Sequence, residues 1–168
     1  MTLRFLPAIL LLGLCAGPAM AAPVTIAKSA STKSDPLNNL NPLAIPGAIV
    51  EYKLDLTGAT TGVTGLEVVD AVPANMSFCL STFDLVAGPV VFTDTSFLLS
   101  SGIGFTYTAV NNGTDGLDFS TATSGTDWSY QPALSATCDP LIKRIRVKLT
   151  GTFGGSKTAN LRFRMKVK

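Results

Sequence analysis

The most informative absence in this sequence is histidine, since none of its 168 residues is a histidine. Without an imidazole the chain cannot build a Ser-His-Asp triad, a Cys-His pair, or a zinc or iron site with histidine ligands. Glutamate is almost as scarce, because only Glu51 and Glu67 are present. Both lie in runs of alternating polar and apolar residues, the pattern of a strand surface. We therefore expect a protein that is not an enzyme.

Long apolar runs are also scarce, and the main one covers residues 5–14. It is shorter than the roughly 20 residues of a membrane-spanning helix. Arg4 precedes it and Ala-Met-Ala at 19–21 follows it, which is the order of a secretory signal peptide. The alternative is an uncleaved membrane anchor. We expect residues 1–21 to be a signal peptide, 22–46 an N-terminal strand and extended arm, and 47–168 one β-sandwich domain without a transmembrane segment.

Cysteine is used sparingly, and Cys15 lies within the expected signal peptide, which leaves Cys79 and Cys138. An even number of cysteines in an exported chain is typical of a disulfide. We expect one Cys79–Cys138 bridge, with two free thiols as the alternative. The expected location is the periplasm, the cell surface or the extracellular medium.

Long helical periodicity is missing, whereas strand periodicity recurs along the chain. In residues 51–56 every second side chain is apolar, as in a strand with one buried face. Gly, Pro, Asn and Asp cluster between such runs. The pattern predicts nine strands, at residues 24–29, 48–57, 66–72, 77–83, 89–93, 104–110, 117–120, 141–150 and 158–167. Short strands at this spacing, in one domain with one disulfide, favour an all-β fold, an antiparallel β-sandwich, over a closed barrel.

Several short motifs follow one another in a recognisable order. They are Lys28, Ser-Asp-Pro at 34–36, Asn-Pro at 41–42, Ile-Pro-Gly at 45–47, Tyr52, Val-Asp-Ala-Val-Pro-Ala-Asn at 69–75, Phe78, and an alternating run from Gly155 to Val167. This order resembles the conserved-repeat domains of unknown function of bacteria and archaea, which are immunoglobulin-like modules of surface proteins. The resemblance implies an extracellular or envelope module with a structural or adhesive role, and it supplies no catalytic residues.

Charge is divided unevenly along the chain. From residue 141 onward there are nine basic residues and no acidic ones, whereas residues 22–140 carry three basic and eleven acidic residues. If the last two predicted strands pair as a hairpin, seven basic side chains share one face, among them Arg144, Arg146, Arg162 and Arg164. Three explanations compete: compensation by acidic neighbours such as Glu51, a surface for anionic glycans or lipopolysaccharide, or head-to-tail association. Nucleic acid is not an expected partner, because few aromatic residues accompany the basic ones.

Two further segments contain candidate binding residues. Asn111, Asp115 and Asp118 lie in a Gly-rich stretch whose oxygens could hold calcium, although an ordinary turn explains the same composition. Trp128 and Tyr130 could form a platform for a sugar ring, or could simply pack against the core.

The N-terminal arm, residues 22–46, is long and polar after its first strand. Long connections without secondary structure are uncommon in compact domains unless they have a function. We expect the arm to cross between the sheets of its own sandwich. The alternative is self-association, in which the arm completes a sheet of a neighbouring copy.

Overall fold

A computed structural model describes residues 24–81, 83, 88–97, 99–133 and 137–168. The expected signal peptide, residues 1–21, lies outside the described residues. Within them the chain forms twelve strands. These are β1 (Thr25–Ser34), β2 (Ile49–Thr57), β3 (Val63–Thr64), β4 (Glu67–Ala71), β5 (Met76–Cys79), β6 (Val90–Asp94), β7 (Ile103–Gly104), β8 (Leu117–Ser120), β9 (Cys138–Asp139), β10 (Arg144–Lys148), β11 (Thr150–Phe153) and β12 (Thr158–Val167).

The strands form one large sheet and two small ones, and all pairs are antiparallel. The large sheet has the order β1-β2-β12-β5-β9, with β6 pairing the first half of β12. A second sheet has the order β4-β10-β8, and a third has the order β3-β11-β7. The prediction of an all-β antiparallel sandwich is confirmed, while its immunoglobulin-like type stays a prediction.

The hydrophobic core lies between the large sheet and the second sheet. Phe78 of β5 meets Phe119 of β8 with ring centres 5.8 Å apart, and Phe163 of β12 lies 5.9 Å from Phe78. Tyr52 of β2 stacks on Phe163 at 5.9 Å. Aromatic pairs at these distances add to the stability gained from burial itself. The alternation seen in the sequence of β2 and β12 therefore separates a core face from an outer face.

The predicted C-terminal hairpin is wrong. Strand β10 pairs with β4 and β8, whereas β12 pairs with β2, β5 and β6. Between them the chain forms β11 in the third sheet, where Gly151 has a φ of 86° that favours glycine. A Cβ at Gly151 would collide with the carbonyl oxygen of Gly102. Arg144 and Arg146 therefore lie in one sheet, and Arg162 and Arg164 in another.

Two other strand predictions need correction. The strand expected at 104–110 is only Ile103–Gly104, because the residues that follow form a loop around Asp115. The first strand extends to Ser34 and pairs along its length with β2. The arm therefore returns to its own sheet, and the expectation that it crosses between the sheets is wrong.

The disulfide prediction is confirmed. Cys79 of β5 lies directly opposite Cys138 of β9, and the two sulfur atoms are bonded at 2.07 Å. The bridge joins positions 59 residues apart in the sequence. It fastens the two-residue strand β9 to the edge of the large sheet.

Across the described ranges of the chain, no helix has the length and apolar character that a bilayer crossing requires.

Candidate functional site

Trp128 lies against two of the predicted binding arginines. The Cζ atoms of Arg144 and Arg146 are 4.5 Å and 4.9 Å from the centre of its ring, within the range of a cation–π interaction. Strand β10 carries both arginines, and the segment after β8 carries Trp128. Because β8 and β10 are neighbours, the structure unites two sites that the sequence left apart. We call Trp128, Arg144, Arg146 and Asp118 the Trp128 cluster.

Arg144 uses its guanidinium group to hold the loop at residues 121–126. It donates hydrogen bonds of 2.9 Å to the carbonyl oxygens of Ala122, Ser124 and Gly125. A longer bond of 3.4 Å reaches the hydroxyl of Ser120. The residue is buried, so this charge is solvated by the loop's own carbonyl groups. Arg144 therefore positions the loop and Trp128, and it is not an exposed anion-binding residue.

Arg146 is paired with Asp118 on the neighbouring strand. Its Nε and Nη2 atoms donate to Asp118 Oδ2 at 2.9 Å and 2.6 Å, and Lys148 Nζ donates to Oδ1 at 3.2 Å. Glu67 on the other side of β10 lies 3.5 Å from Arg146 Nη1. Acidic side chains on both neighbouring strands thus compensate the basic charge of β10.

The three residues predicted to bind calcium have separate surroundings. Asp115 accepts hydrogen bonds from the backbone N–H groups of Thr108, at 2.9 Å, and Leu117, at 2.9 Å. Asp118 faces the cations of β10, and Asn111 is exposed in the turn. Among the described residues no group of three or more His, Cys, Asp or Glu side chains is arranged to hold a metal. Calcium binding at these residues stays a prediction.

Tyr130 is anchored by residues that do not belong to the Trp128 cluster. Its hydroxyl donates to Asp139 Oδ2 at 2.8 Å, and its backbone forms a bridge with Phe119. Burial raises the pKa of Tyr130, and the hydrogen bond to Asp139 raises it further. This phenol braces the turn before β10, which is a structural contact.

Arg162 and Arg164 surround Glu51 on the outer face of the large sheet. Glu51 is buried, and its carboxylate lies 3.2 Å from Arg164 Nη2, 3.7 Å from Arg162 Nη1 and 3.2 Å from Lys33 Nζ. The guanidinium carbon of Arg164 also lies 4.4 Å from the ring centre of Phe83. This arrangement is the one that charge compensation by Glu51 predicts.

A repeated turn motif escaped the sequence analysis. In five places within the described residues, an aspartate side chain accepts a hydrogen bond from the backbone N–H two residues later, which is the geometry of an Asx turn. The donor and acceptor pairs are Leu37 to Asp35, Ser96 to Asp94, Leu117 to Asp115, Ser129 to Asp127, and Leu141 to Asp139. The available signal is local composition, because a Ser or Thr directly precedes Asp35, Asp94, Asp115 and Asp127.

Asp35 makes the most extensive of these turns, in the connection between β1 and β2. Its carboxylate accepts from the N–H groups of Leu43, at 2.8 Å, Leu37, at 2.9 Å, and Asn39, at 3.3 Å, and from Asn39 Nδ2 at 2.9 Å. Hydrogen bonds to the charged form, that from Leu43 first, lower the pKa of Asp35 from 3.8 to about 2. Gly47 has φ 92°, and a Cβ there would lie 2.8 Å from Pro36 Cγ. Asp35 thus fixes the start of this connection, and the close approach of Gly47 to Pro36 restricts its end.

This lowered pKa predicts a pH-dependent contribution to stability. A carboxyl whose pKa is lower in the folded state stabilises the fold above about pH 4, and this contribution disappears as pH falls through about 2. We expect Asp35→Asn to lower the free energy of unfolding at pH 7, and the difference from the natural chain to shrink steadily between pH 4 and pH 2. Urea unfolding at pH 7, 4 and 2.5 measures it. Asp55→Asn, whose side chain is 47 % exposed, is the matched control, and an equal loss for Asp35→Asn at all three pH values would contradict the prediction.

Strand β1 is the least packed long strand in the described part of the chain. None of its ten residues is buried, although every residue of β2 is paired with a residue of β1. Lys28 Nζ lies 2.7 Å from Asp70 of β4 and 4.7 Å from the ring centre of Tyr52. Backbone pairing and a few charged contacts therefore hold β1 in place, and it forms one edge of the large sheet.

In comparisons with known proteins, no family model, no curated protein and no solved structure matches this chain.

Proposed function

We propose that this chain is an exported, non-enzymatic module of the cell envelope or cell surface, with a structural or adhesive role. The observation that carries the proposal is how its polar side chains are used. Five aspartates close turns through Asx geometry, and Arg144 ties down the loop at 121–126 through three carbonyl groups. The polar groups of the loops thus make a rigid body that presents fixed surfaces, as structural and adhesive modules require.

Three other features support an exported location. The Cys79–Cys138 bridge is typical of proteins that fold in an oxidising compartment. The first 21 residues have the pattern of a signal peptide. The motif order from Lys28 to Asn75 resembles the conserved-repeat domains of surface proteins, and an immunoglobulin-like sandwich is the fold which that resemblance implies.

The alternative function is binding of an anionic glycan or lipopolysaccharide through the Trp128 cluster. The observation that favours it is the half-buried Trp128 ring, fixed by guanidinium groups at 4.5 Å and 4.9 Å. A rigid aromatic face of this kind can stack on a sugar ring. Arg146 beside the ring is partly exposed, as is Lys148, which shares Asp118 with it, and these positive charges would attract acidic groups of the glycan.

Cell fractionation tests the proposed function. We expect the protein, detected by antibody in the cells that produce it, in the envelope or extracellular fraction with Cys79 and Cys138 oxidised and residues 1–21 removed, as read by mass spectrometry. A cytosolic protein with free thiols would overturn the proposal. Soluble lipopolysaccharide added to the envelope fraction separates the two functions. If the chain binds glycan, the added lipopolysaccharide should release it from the envelope, and this release should require Trp128. A purely structural role predicts no release.

A further inference from the structure

The backbone of β1 has a row of groups directed away from the sheet. In antiparallel strands, directly opposite residues alternate between hydrogen-bonded and non-hydrogen-bonded pairs. Gly58 N–H donates to Lys157 O and Val167 N–H donates to Ala48 O, and both pairs extend the β2–β12 register. Even-numbered residues of β2 therefore bond to β12, and odd-numbered ones bond to β1.

The register between β1 and β2 carries this alternation to the edge of the sheet. Thr25, Ala27, Ser29 and Ser31 lie opposite the odd-numbered residues of β2 and bond to it. The N–H and C=O groups of Ile26, Lys28, Ala30 and Thr32 consequently point outward. Beyond them the register shifts between Thr32 and Ser34, and this bulge ends the regular edge. We call these four residues the free edge of β1.

The side chains along this edge allow another strand to approach. Ala27, Ser29, Ala30 and Ser31 are small. Lys28 has its charge balanced within the same chain by Asp70, at 2.7 Å. Ile26 is 48 % exposed and would lose solvent contact beside a neighbouring strand. The edge strands of protein sheets usually carry unbalanced charges, or are covered by another segment, and either feature prevents such pairing. Among the described residues, β1 has neither.

We propose that the free edge of β1 is an interface between two copies of this chain, paired antiparallel about a twofold axis at Ser29. In this register Ile26 pairs with Thr32 of the second copy and Lys28 with Ala30 of the second copy, so all four outward residues form hydrogen-bonded pairs. A shift that centres the axis on Lys28 would place two lysines directly opposite each other. A shift that centres it on Ala30 would pair Ile26 with Ser34, beyond the bulge. Charge and geometry thus select one register.

Strand exchange is the competing arrangement, in which β1 leaves its own β2 and pairs with that of another copy. The connection between β1 and β2 argues against it. Asp35 holds four donors of this segment, so opening the connection would break these hydrogen bonds. Lys28 and Lys33 would meet Asp70 and Glu51 of the other copy in place of their own, so exchange would add no ion pair. Edge pairing keeps all of these contacts and adds new ones.

Single cysteines test the register on the purified mature chain. Ser29 would face Ser29 of the second copy as a non-hydrogen-bonded pair, with Cα atoms about 4.5 Å apart. Residues 27 and 31 would face each other across the interface, and each would lie roughly 13 Å from its own counterpart, too far for a disulfide. We expect Ser29→Cys to form a disulfide-linked dimer in a glutathione buffer at least about tenfold faster than Ala27→Cys or Ser31→Cys. A mixture of the two control variants should cross-link where neither does alone.

Ala30→Pro in the Ser29→Cys background removes one outward N–H group and leaves the β1–β2 hydrogen bonds in place, as proline at an edge allows. We expect it to slow cross-linking while the circular dichroism spectrum is unchanged. Because the edge pairing is small, the unmodified dimer should be weak and concentration-dependent in sedimentation. Equal cross-linking of all three single variants, no cross-linking of Ser29→Cys, or a sedimenting dimer without that cross-link would each overturn the proposal.

This interface deepens the proposed structural role by naming a second copy as the partner. The two conclusions can fail separately. Cross-linking is measured on purified protein and does not depend on where the cell places it, whereas fractionation does not depend on the register of β1.

Discussion

Replacing both Cys79 and Cys138 with alanine is expected to lower the free energy of unfolding by about 4 kcal/mol, from the chain entropy that a bridge across some 60 residues removes from the unfolded state. The contacts that remain around β9 are few. It pairs with β5 over two residues, so little backbone pairing replaces the covalent bond. Urea unfolding of the natural chain and the double variant measures the difference. Changing both cysteines avoids a lone thiol that would form mixed disulfides.

Reductant provides the control for this prediction. It should shift the unfolding midpoint of the natural chain toward that of the double variant and leave the double variant unchanged. A loss of unfolding free energy below about 1 kcal/mol would contradict the prediction, because truncating two ordinary side chains, without breaking a disulfide, destabilises a protein by about that amount. It would mean that the unfolded chain is already compact near the two cysteines.

The loss would also reach the turn that follows β9. Asp139 is the residue after Cys138, and it accepts hydrogen bonds from the Tyr130 hydroxyl and from the N–H of Leu141. The bridge therefore stabilises the start of β10 through these bonds.

Strands β2 and β12 could be predicted from the sequence because in each of them buried residues alternate with more exposed ones over much of the length. Both begin and end within one residue of their predicted positions. Strand β1, which has no buried residue, extends five residues beyond its predicted end at residue 29. Strands β3, β7 and β9, of two residues each, are too short for any period to be visible. The cysteines could be paired from the sequence because Cys15 lies in the expected signal peptide, and the two that remain offer one pairing.

Strand pairing could not be predicted, because it depends on where the chain changes sheet. The alternation of β10 and β12 is similar, and the loop between them suits a hairpin. After Leu149, however, the chain enters β11, which belongs to a third sheet. The same limit applies to the candidate site. Trp128 and Arg144 are far apart in the sequence, and they meet only because β8 lies beside β10.

The burial of Arg144 could not be predicted from the sequence either. By alternation, Arg144 belongs with Arg146 on an outer face, which predicts exposure for both. The structure buries Arg144 because the loop at 121–126 folds over the end of β10 and turns its carbonyl groups toward the guanidinium. A buried charged side chain of this kind holds the surrounding loop in place, so we expect its removal to lower the free energy of unfolding.

Arg144→Met is expected to lower the free energy of unfolding by about 3 kcal/mol, because three carbonyl groups lose a charged donor and part of the loop is left without hydrogen bonds. Methionine keeps much of the aliphatic volume, so cavity formation contributes little to the loss. Trp128 is the only tryptophan, and one of its two cationic neighbours would be gone. Its fluorescence should therefore shift to longer wavelength in the folded variant, as the loop opens to water.

The matched control is Lys166→Met on β12, an exposed basic residue of the other sheet, which should change stability by less than about 0.5 kcal/mol and leave the tryptophan spectrum unaltered. Arg144→Lys separates charge from geometry, since one ammonium group cannot reach three carbonyl oxygens in the way a planar guanidinium does. We expect it to recover only part of the loss. If Arg144→Met were as stable as Lys166→Met, with Trp128 unshifted, the loop at 121–126 would be held by other contacts. Arg144 would then be free to serve the glycan-binding alternative.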